Sequence, residues 1–173
     1  MVEVQPLTRA DIENKASDIL RRHRLFSIPV DVVTLANRDG ILVHNAKFSD
    51  ANLSGMIAKR DKTVTILVNQ TDAPFRKRFT IAHELGHHFL HLLHDGDFVD
   101  TELDLFRDTE DPDRDSPSKR AEVQANQFAA ALLMPEELVQ TEWQRTKNVA
   151  ELARLFNVSE EAMGIRLSRL GLA

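Results

Sequence analysis

The sequence predicts an α+β fold: a mostly helical domain with a small, mainly antiparallel sheet of about three strands beside one long helix. Three observations predict it. Apolar residues recur at helical spacing over Arg9 to Arg24, over residues 74–94 and over residues 117–133. Three short segments, the last of them (TVTILV) rich in β-branched residues, lie close together between residues 41 and 68. Pro, Gly and Asp clusters punctuate the chain between these stretches. A chain of 173 residues is expected to form one domain, burying about 70% of its unfolded surface.

The elements follow in order. Ile12, Ala16, Ile19 and Leu20 form one face of the first helix, and a second short helix runs from Val30 to Asn37. Asp39-Gly40 turns the chain into Ile41–His44; Leu53–Ala58 and Thr63–Val68 are the next strands, with Arg60-Asp61-Lys62 as hairpin loop. The long helix starts at Ala73-Pro74, with Asp72 as N-cap and Pro74 accommodated in the first turn, and runs to about His94. At 100° per residue it is apolar on two sides: Phe75, Phe79, Ala82, Gly86, Leu90 and Leu93 form one stripe, and Ile81, Leu85, Phe89 and Leu92 the other. A helix packed on two sides is a central one. Residues 95–117 read as a long acidic loop. Ser116-Pro117 opens a helix that ends before Pro135, and Val149 to Leu170 read as helix, tight turn, helix, with Ser159 capping the second. The expected organisation is a domain over residues 1–147, with residues 148–173 packed as part of the same unit.

Composition narrows the chemistry. With no cysteine, disulfides, zinc ribbons and thiol catalysis are excluded, so a metal must be held by His, Asp or Glu. That absence, and an N-terminus without a basic start and apolar stretch, lead us to expect a cytoplasmic protein. The longest apolar run, Phe128 to Met134, is seven residues, against about 20 for a membrane span. The net charge of −5 is uneven: residues 95–117 carry ten acids and two bases, leaving the remainder at +3.

Five of the seven histidines lie between positions 83 and 94, and among them is His83-Glu84-Leu85-Gly86-His87. On a helix, residues four apart share a face, so the two imidazoles can grip one divalent ion while Glu84 stands beside a bound water. His87 and His91 have the same spacing, but position 88 is His, so that pair lacks the adjacent carboxylate a hydrolytic site needs as base. His88 projects away, and His94 points as His83 does but about 16 Å further along the helix. His91 is left either supporting His87 or solvated.

A catalytic zinc takes three protein ligands and leaves a position open for water. Glu122 is the candidate third ligand because it falls within the apolar stripe of its helix with Ala121, Ala125, Phe128, Ala129, Leu132 and Leu133, whereas Lys119, Arg120, Gln124 and Gln127 face the other way. A carboxylate turned towards a core needs a cation, either a metal or a Lys or Arg partner. Asn126, one turn on, is placed to orient it or a substrate. With an ion held by His83, His87 and Glu122, Glu84 takes the proton of the ion's water and passes it to a leaving amine: amide hydrolysis. The chain has no tyrosine, so the developing oxyanion is left to the metal, His91 or a main-chain N–H. Zinc is the expected ion, and manganese or iron suits the same donors.

The stretch RFTIAHELGHHFLH, Arg78 to His91, together with EVQANQFAAALLMP, Glu122 to Pro135, resembles the ImmA/IrrE family of metallopeptidases. The resemblance implies a zincin-like fold, Glu122 completing the metal site and Glu84 as catalytic base. It also implies a partner: a helix-turn-helix, Xre-like repressor encoded nearby, which the enzyme cleaves or inactivates to derepress mobile-element or stress genes. The separation of 35 positions between His87 and Glu122, mostly acidic loop, departs from the family pattern.

Two other classes compete. The C-terminal helix pair has the outline of a DNA reader, but Arg154, Arg166 and Arg169 are matched by Glu151, Glu160 and Glu161, and two of those acids open the would-be recognition helix. DNA binding is therefore disfavoured. The third reading is an anti-repressor that holds its partner without cutting it, with the metal only structural. Oligomeric state is left open by the sequence.

Overall fold

The computed structural model describes residues 4–91, 93–101 and 116–173. Among them the order of elements is α1 (Arg9–Arg22), α2 (Val32–Arg38), β1 (Leu42–Ala46), β2 (Gly55–Arg60), β3 (Thr63–Asn69), α3 (Pro74–Leu90), β4 (Phe98–Thr101), α4 (Pro117–Leu133), α5 (Glu136–Thr146), α6 (Val149–Phe156) and α7 (Glu160–Arg169). The α+β class holds.

Local chemistry sets most of the boundaries. Thr8 and Asp11 close a capping box at the start of α1, and Asp31, Ser116, Asn148 and Ser159 each accept a main-chain N–H at the start of a helix. β2 and β3 pair antiparallel through a two-residue turn, Asp61-Lys62, with both residues at positive φ (49° and 68°), the conformation that matches strand twist.

The sheet departs from expectation in two ways. It has four strands among the described residues, in the order β1-β3-β2-β4, and β1 runs parallel to β3. The parallel pair arises because 47–54 carries the chain across before β2 returns antiparallel. The fourth strand comes from the start of the segment read as acidic loop; Phe98–Thr101 pairs with the free side of β2. Residues 102–115, the rest of that expected loop, lie outside the described residues, as does Leu92.

α3 also ends earlier than expected, at Leu90, with His91 in extended conformation. Leu93 and His94 therefore leave the helical stripe, although Leu93 is buried. The backbone is diverted by tertiary contacts: Lys59 Nζ donates to Leu93 O, and Gly96 N and Lys59 O close a 2.7 Å bond beside β2. The N-cap of α3 is Ala73 rather than Asp72, and no side chain caps it.

α3 lies between layers, packed against β2 and β3 on one side and against α4 on the other, with α1 behind α4. Ile57, Ile66, Leu85, Phe128 and Leu132 fill the spaces between these layers. The helix–helix approach is close: a Cβ on Gly86 would stand 2.9 Å from Ala125 Cα and 3.0 Å from its carbonyl oxygen. The chain needs glycine there for α3 and α4 to touch backbone to backbone. At the other end Arg78 of α3 donates to Val30 O and Asn157 O, and Arg166 of α7, buried, bonds Met134 O and Glu13. No described helix is long and apolar enough to cross a membrane.

Candidate metal centre

The Gly86–Ala125 contact sets the site, because it brings the next turn of each helix into register. His83 and His87 project from α3 towards α4, and Glu122 reaches them from α4. The two imidazole Nε2 atoms are 3.1 Å apart, and Glu122 offers Oε2 to His83 and Oε1 to His87, each at 3.1 Å. The edge of a tetrahedron with bonds of about 2.05 Å is about 3.3 Å. The three donors are thus of the type and spacing that hold one small divalent ion, and this is the group of His and acidic side chains placed to do so among the described residues.

The hydrogen bonds behind the cluster fix which nitrogen faces it. His83 Nδ1 lies 2.8 Å from Asn126 Oδ1, which only accepts, so the ring's Nδ1–H donates and Nε2 faces Glu122, with a lone pair in the neutral ring and a proton in the charged one. His87 is set by a longer chain. Gln124 Nε2 donates to Gln5 O at 2.8 Å, which leaves Gln124 Oε1 to accept from His91 Nε2–H at 3.0 Å. His91 Nδ1 is then an acceptor, and His87 Nδ1–H donates to it at 3.2 Å. Both histidines are thus held from behind through Nδ1, which leaves Nε2 for an ion.

Without an ion, burial and the Glu122 carboxylate act on the three rings in opposite directions. Burial pushes the His91 imidazole down to about 4, so the ring is neutral and able to accept. His87 is likewise lowered by burial. At His83 burial also favours the neutral ring, but the hydrogen bond to Glu122 and the charges of Glu84 and Glu122 outweigh it and the net shift is upward. At Glu122 burial raises the carboxyl, and the adjacent His83 and His87 rings overcome this and hold it well below the usual carboxylate range. Glu122 keeps its charge for a cation.

Glu84, the residue after His83, is fully buried between α3 and the start of β2. A Cβ on Gly55 would collide with Thr80 Cγ2 and stand 3.2 Å from Glu84 Oε1, so β2 meets the carboxylate with bare backbone.

Not every expected position agrees. Glu122 is on the rim, its side chain 38% exposed, rather than turned fully into the core. Asn126 orients His83, not Glu122. Gln124, expected to face away from the apolar stripe, is buried beneath the N-terminal segment and carries the support of His87. Its role was hidden because a helical wheel shows which side a residue faces but not what covers it. His91 is the supporting residue rather than the solvated one, and with both ring nitrogens engaged it does not face an oxyanion. His88 turns to Asp39 at 2.9 Å, away from the cluster as expected, and His94 lies in the turn after α3.

Comparison with known proteins fits this arrangement. Residues 36–168 match the model of a peptidase family described as the IrrE N-terminal-like domain. Among solved structures, a Mycobacterium tuberculosis transcriptional regulator shares the fold, with a TM-score of 0.59 and 19% identity over 92% of this chain and 46% of that one. The chain spans about half the length of that regulator. No curated protein matches the sequence. The family match takes in the whole of α3 and α4, so the protein that carries this HExxH helix and its facing glutamate belongs to the IrrE N-terminal-like, or ImmA/IrrE, peptidase family.

Proposed function

We propose that the chain is a metal-dependent endopeptidase, with His83, His87 and Glu122 as metal ligands, Glu84 as general base, and a helix-turn-helix repressor as substrate. The observation that carries this reading is the convergence of two Nε2 atoms and one carboxylate at mutual distances of 3.1 Å, each histidine held from behind through Nδ1. A bound ion would supply Lewis-acid activation of water and of the scissile carbonyl. Zinc suits two imidazoles and a carboxylate best, and manganese or iron is accepted by the same set.

The protein's own residues do the rest. Glu84, on the same turn as His83 and shielded from solvent, holds the proton removed from the attacking water and gives it to the departing amine. Asn126 and His91 keep the two ligand rings from rotating. Glu122, at the rim, leaves one side of the cluster open to a polypeptide.

The substrate class rests on the family and on the regulator-like neighbour. The C-terminal pair favours docking over DNA reading. Arg166 of α7 is committed to Glu13 and Met134, and Glu160 and Glu161 open the same helix, where phosphate would meet like charge. We place residues 148–173 with the peptidase domain of residues 1–147 as one unit. The test is to mix the metal-loaded protein with the repressor encoded beside it and look for one discrete cut. Glu84→Gln should lower cleavage by about 10²–10⁴-fold with metal still bound. Retained cleavage would remove the role of Glu84, and repressor inactivation without any cut would favour the non-proteolytic anti-repressor.

A further inference from the structure

The start of β2 is where the sheet meets the proposed base. A Cβ on Gly55 would stand 3.2 Å from Glu84 Oε1, so the strand passes the carboxylate with bare backbone. In an antiparallel ladder every second residue turns both its N–H and its C=O to the same neighbour. Asn69 N donates to Ser54 O, which directs Ser54 and Met56 to β3. Lys59 N donates to Asp97 O, and Gly96 N to Lys59 O, which directs Lys59 the other way. Gly55 and Ile57 share that second direction, and β4 meets them there: Thr101 lies opposite Gly55, and Val99 opposite Ile57. The residue that lies against Glu84 is thus also one whose main-chain groups are given to β4.

An extended polypeptide binds a sheet by adding a strand to a free edge, where main-chain bonds hold its backbone in register. The ladder that passes Glu84 is the Gly55–Ile57 edge, and β4 already has the form of a strand added to it. It is antiparallel, four residues long, and paired among the described residues only with β2. It leaves α3 through the turn His94–Asp97, with Gly96 at φ 89°. A strand this short, held along one side, opens at the low end of the stability range within a fold.

We infer that β4 is an internal blocking strand: it occupies the peptide-pairing edge beside Glu84, and a polypeptide substrate gains that edge only when β4 leaves. This role rests on the peptidase reading, whereas the occupancy of the edge is tested by binding alone.

Two variants move β4 in opposite directions. Val99→Pro removes the N–H that meets Ile57 O and should release the strand. Met56→Cys with Asp100→Cys ties it down, because the two positions are directly opposite and facing pairs across a ladder lie within the Cα range of a disulfide. The chain has no other cysteine. Each variant is made in the full chain carrying Glu84→Gln, loaded with zinc, and titrated by fluorescence anisotropy with a labelled peptide copying residues 95–101, DGDFVDT. Val99→Pro should bind it about tenfold tighter than the parent, the scale of one strand hydrogen bond lost from the closed form. The oxidised cysteine variant should bind no peptide, and reduction should restore the parent's binding. Zinc affinity, read by chelator competition, should be the same in all. Oxidised and reduced forms are one sequence, so their comparison decides the matter even if Val99→Pro does not fold. Equal peptide binding by the oxidised and reduced forms overturns the blocking strand. The same proteins with Glu84 restored are then assayed on the neighbouring repressor, where cutting should stop on oxidation and return on reduction. Cutting that ignores the lock overturns the blocking strand alone; the binding pattern without a cut by any form overturns the peptidase reading and leaves β4 as the occupant of the edge.

Discussion

Two amide side chains decide how the histidines of this site are used. Asn126 Oδ1 and, through His91, Gln124 Oε1 are both acceptors, and each compels the ring in front of it to present a lone pair to the cluster. Replacing Asn126 by Leu keeps the volume and removes the acceptor, so the His83 ring is no longer held to one tautomer. We expect metal affinity to fall by about 10–100-fold, read by competition with a chromophoric chelator, while the far-UV spectrum is unchanged. His91→Phe acts on the other ligand. It strips His87 Nδ1–H of its acceptor in a buried place, which costs about 1–3 kcal/mol, and urea unfolding of the metal-free protein should show that loss together with weaker metal binding. Unchanged affinity in both variants would mean that the metal itself orients the rings. At this scale the meeting of His83, His87 and Glu122 was legible in the sequence, because spacing on a helix and a charge in an apolar stripe are local signals. Gln124 was not, since its importance comes from Gln5, more than a hundred positions away, lying over it.

Elements position these residues through one close contact. Gly86 sits where α3 and α4 touch, and the atoms that a methyl group would meet belong to the backbone of Ala125, which has no rotamer to yield. Gly86→Ala should therefore push the helices apart at the level of His87 and Glu122. We expect a loss of about 1–3 kcal/mol in stability, partly offset by alanine's better helix propensity, and a larger proportional loss in metal affinity. Thermal melts with and without zinc separate the two effects: the interval between the melts should narrow, whereas a purely local strain would shift both alike. The same contrast explains which boundaries could be read beforehand. Helices opened by Thr8, Ser116 and Ser159 carry their start signal in the chain. The end of α3 carries none, because Leu-Leu-His continues the periodic pattern and the contacts to Lys59 turn the backbone aside. β4 is four residues long and exists by pairing with β2, a partner that local sequence cannot name.

On the scale of the whole molecule, the cluster of His83, His87 and Glu122 joins the two helices that meet at the centre of the fold. An ion bound by α3 and α4 binds the folded chain and not the unfolded one, so it should stabilise the protein by RT ln(1 + [L]/Kd), about 4 kcal/mol at a free metal concentration of 1,000 Kd. For a chain of this length about 1 kcal/mol corresponds to roughly 2–4 °C, so chelation should lower the melting temperature by about 8–16 °C and added zinc should restore it. His83→Ala and Glu122→Ala should melt near the chelated value and not respond to zinc. Glu84→Gln should respond as the wild type does, because its carboxylate is not among the three donors that meet at 3.1 Å. That pattern separates ligand from base in a measurement that needs no substrate. If Glu84→Gln also lost its zinc response, the carboxylate would have to be counted with the ligands, and the division of labour between α3 and α4 would have to be redrawn.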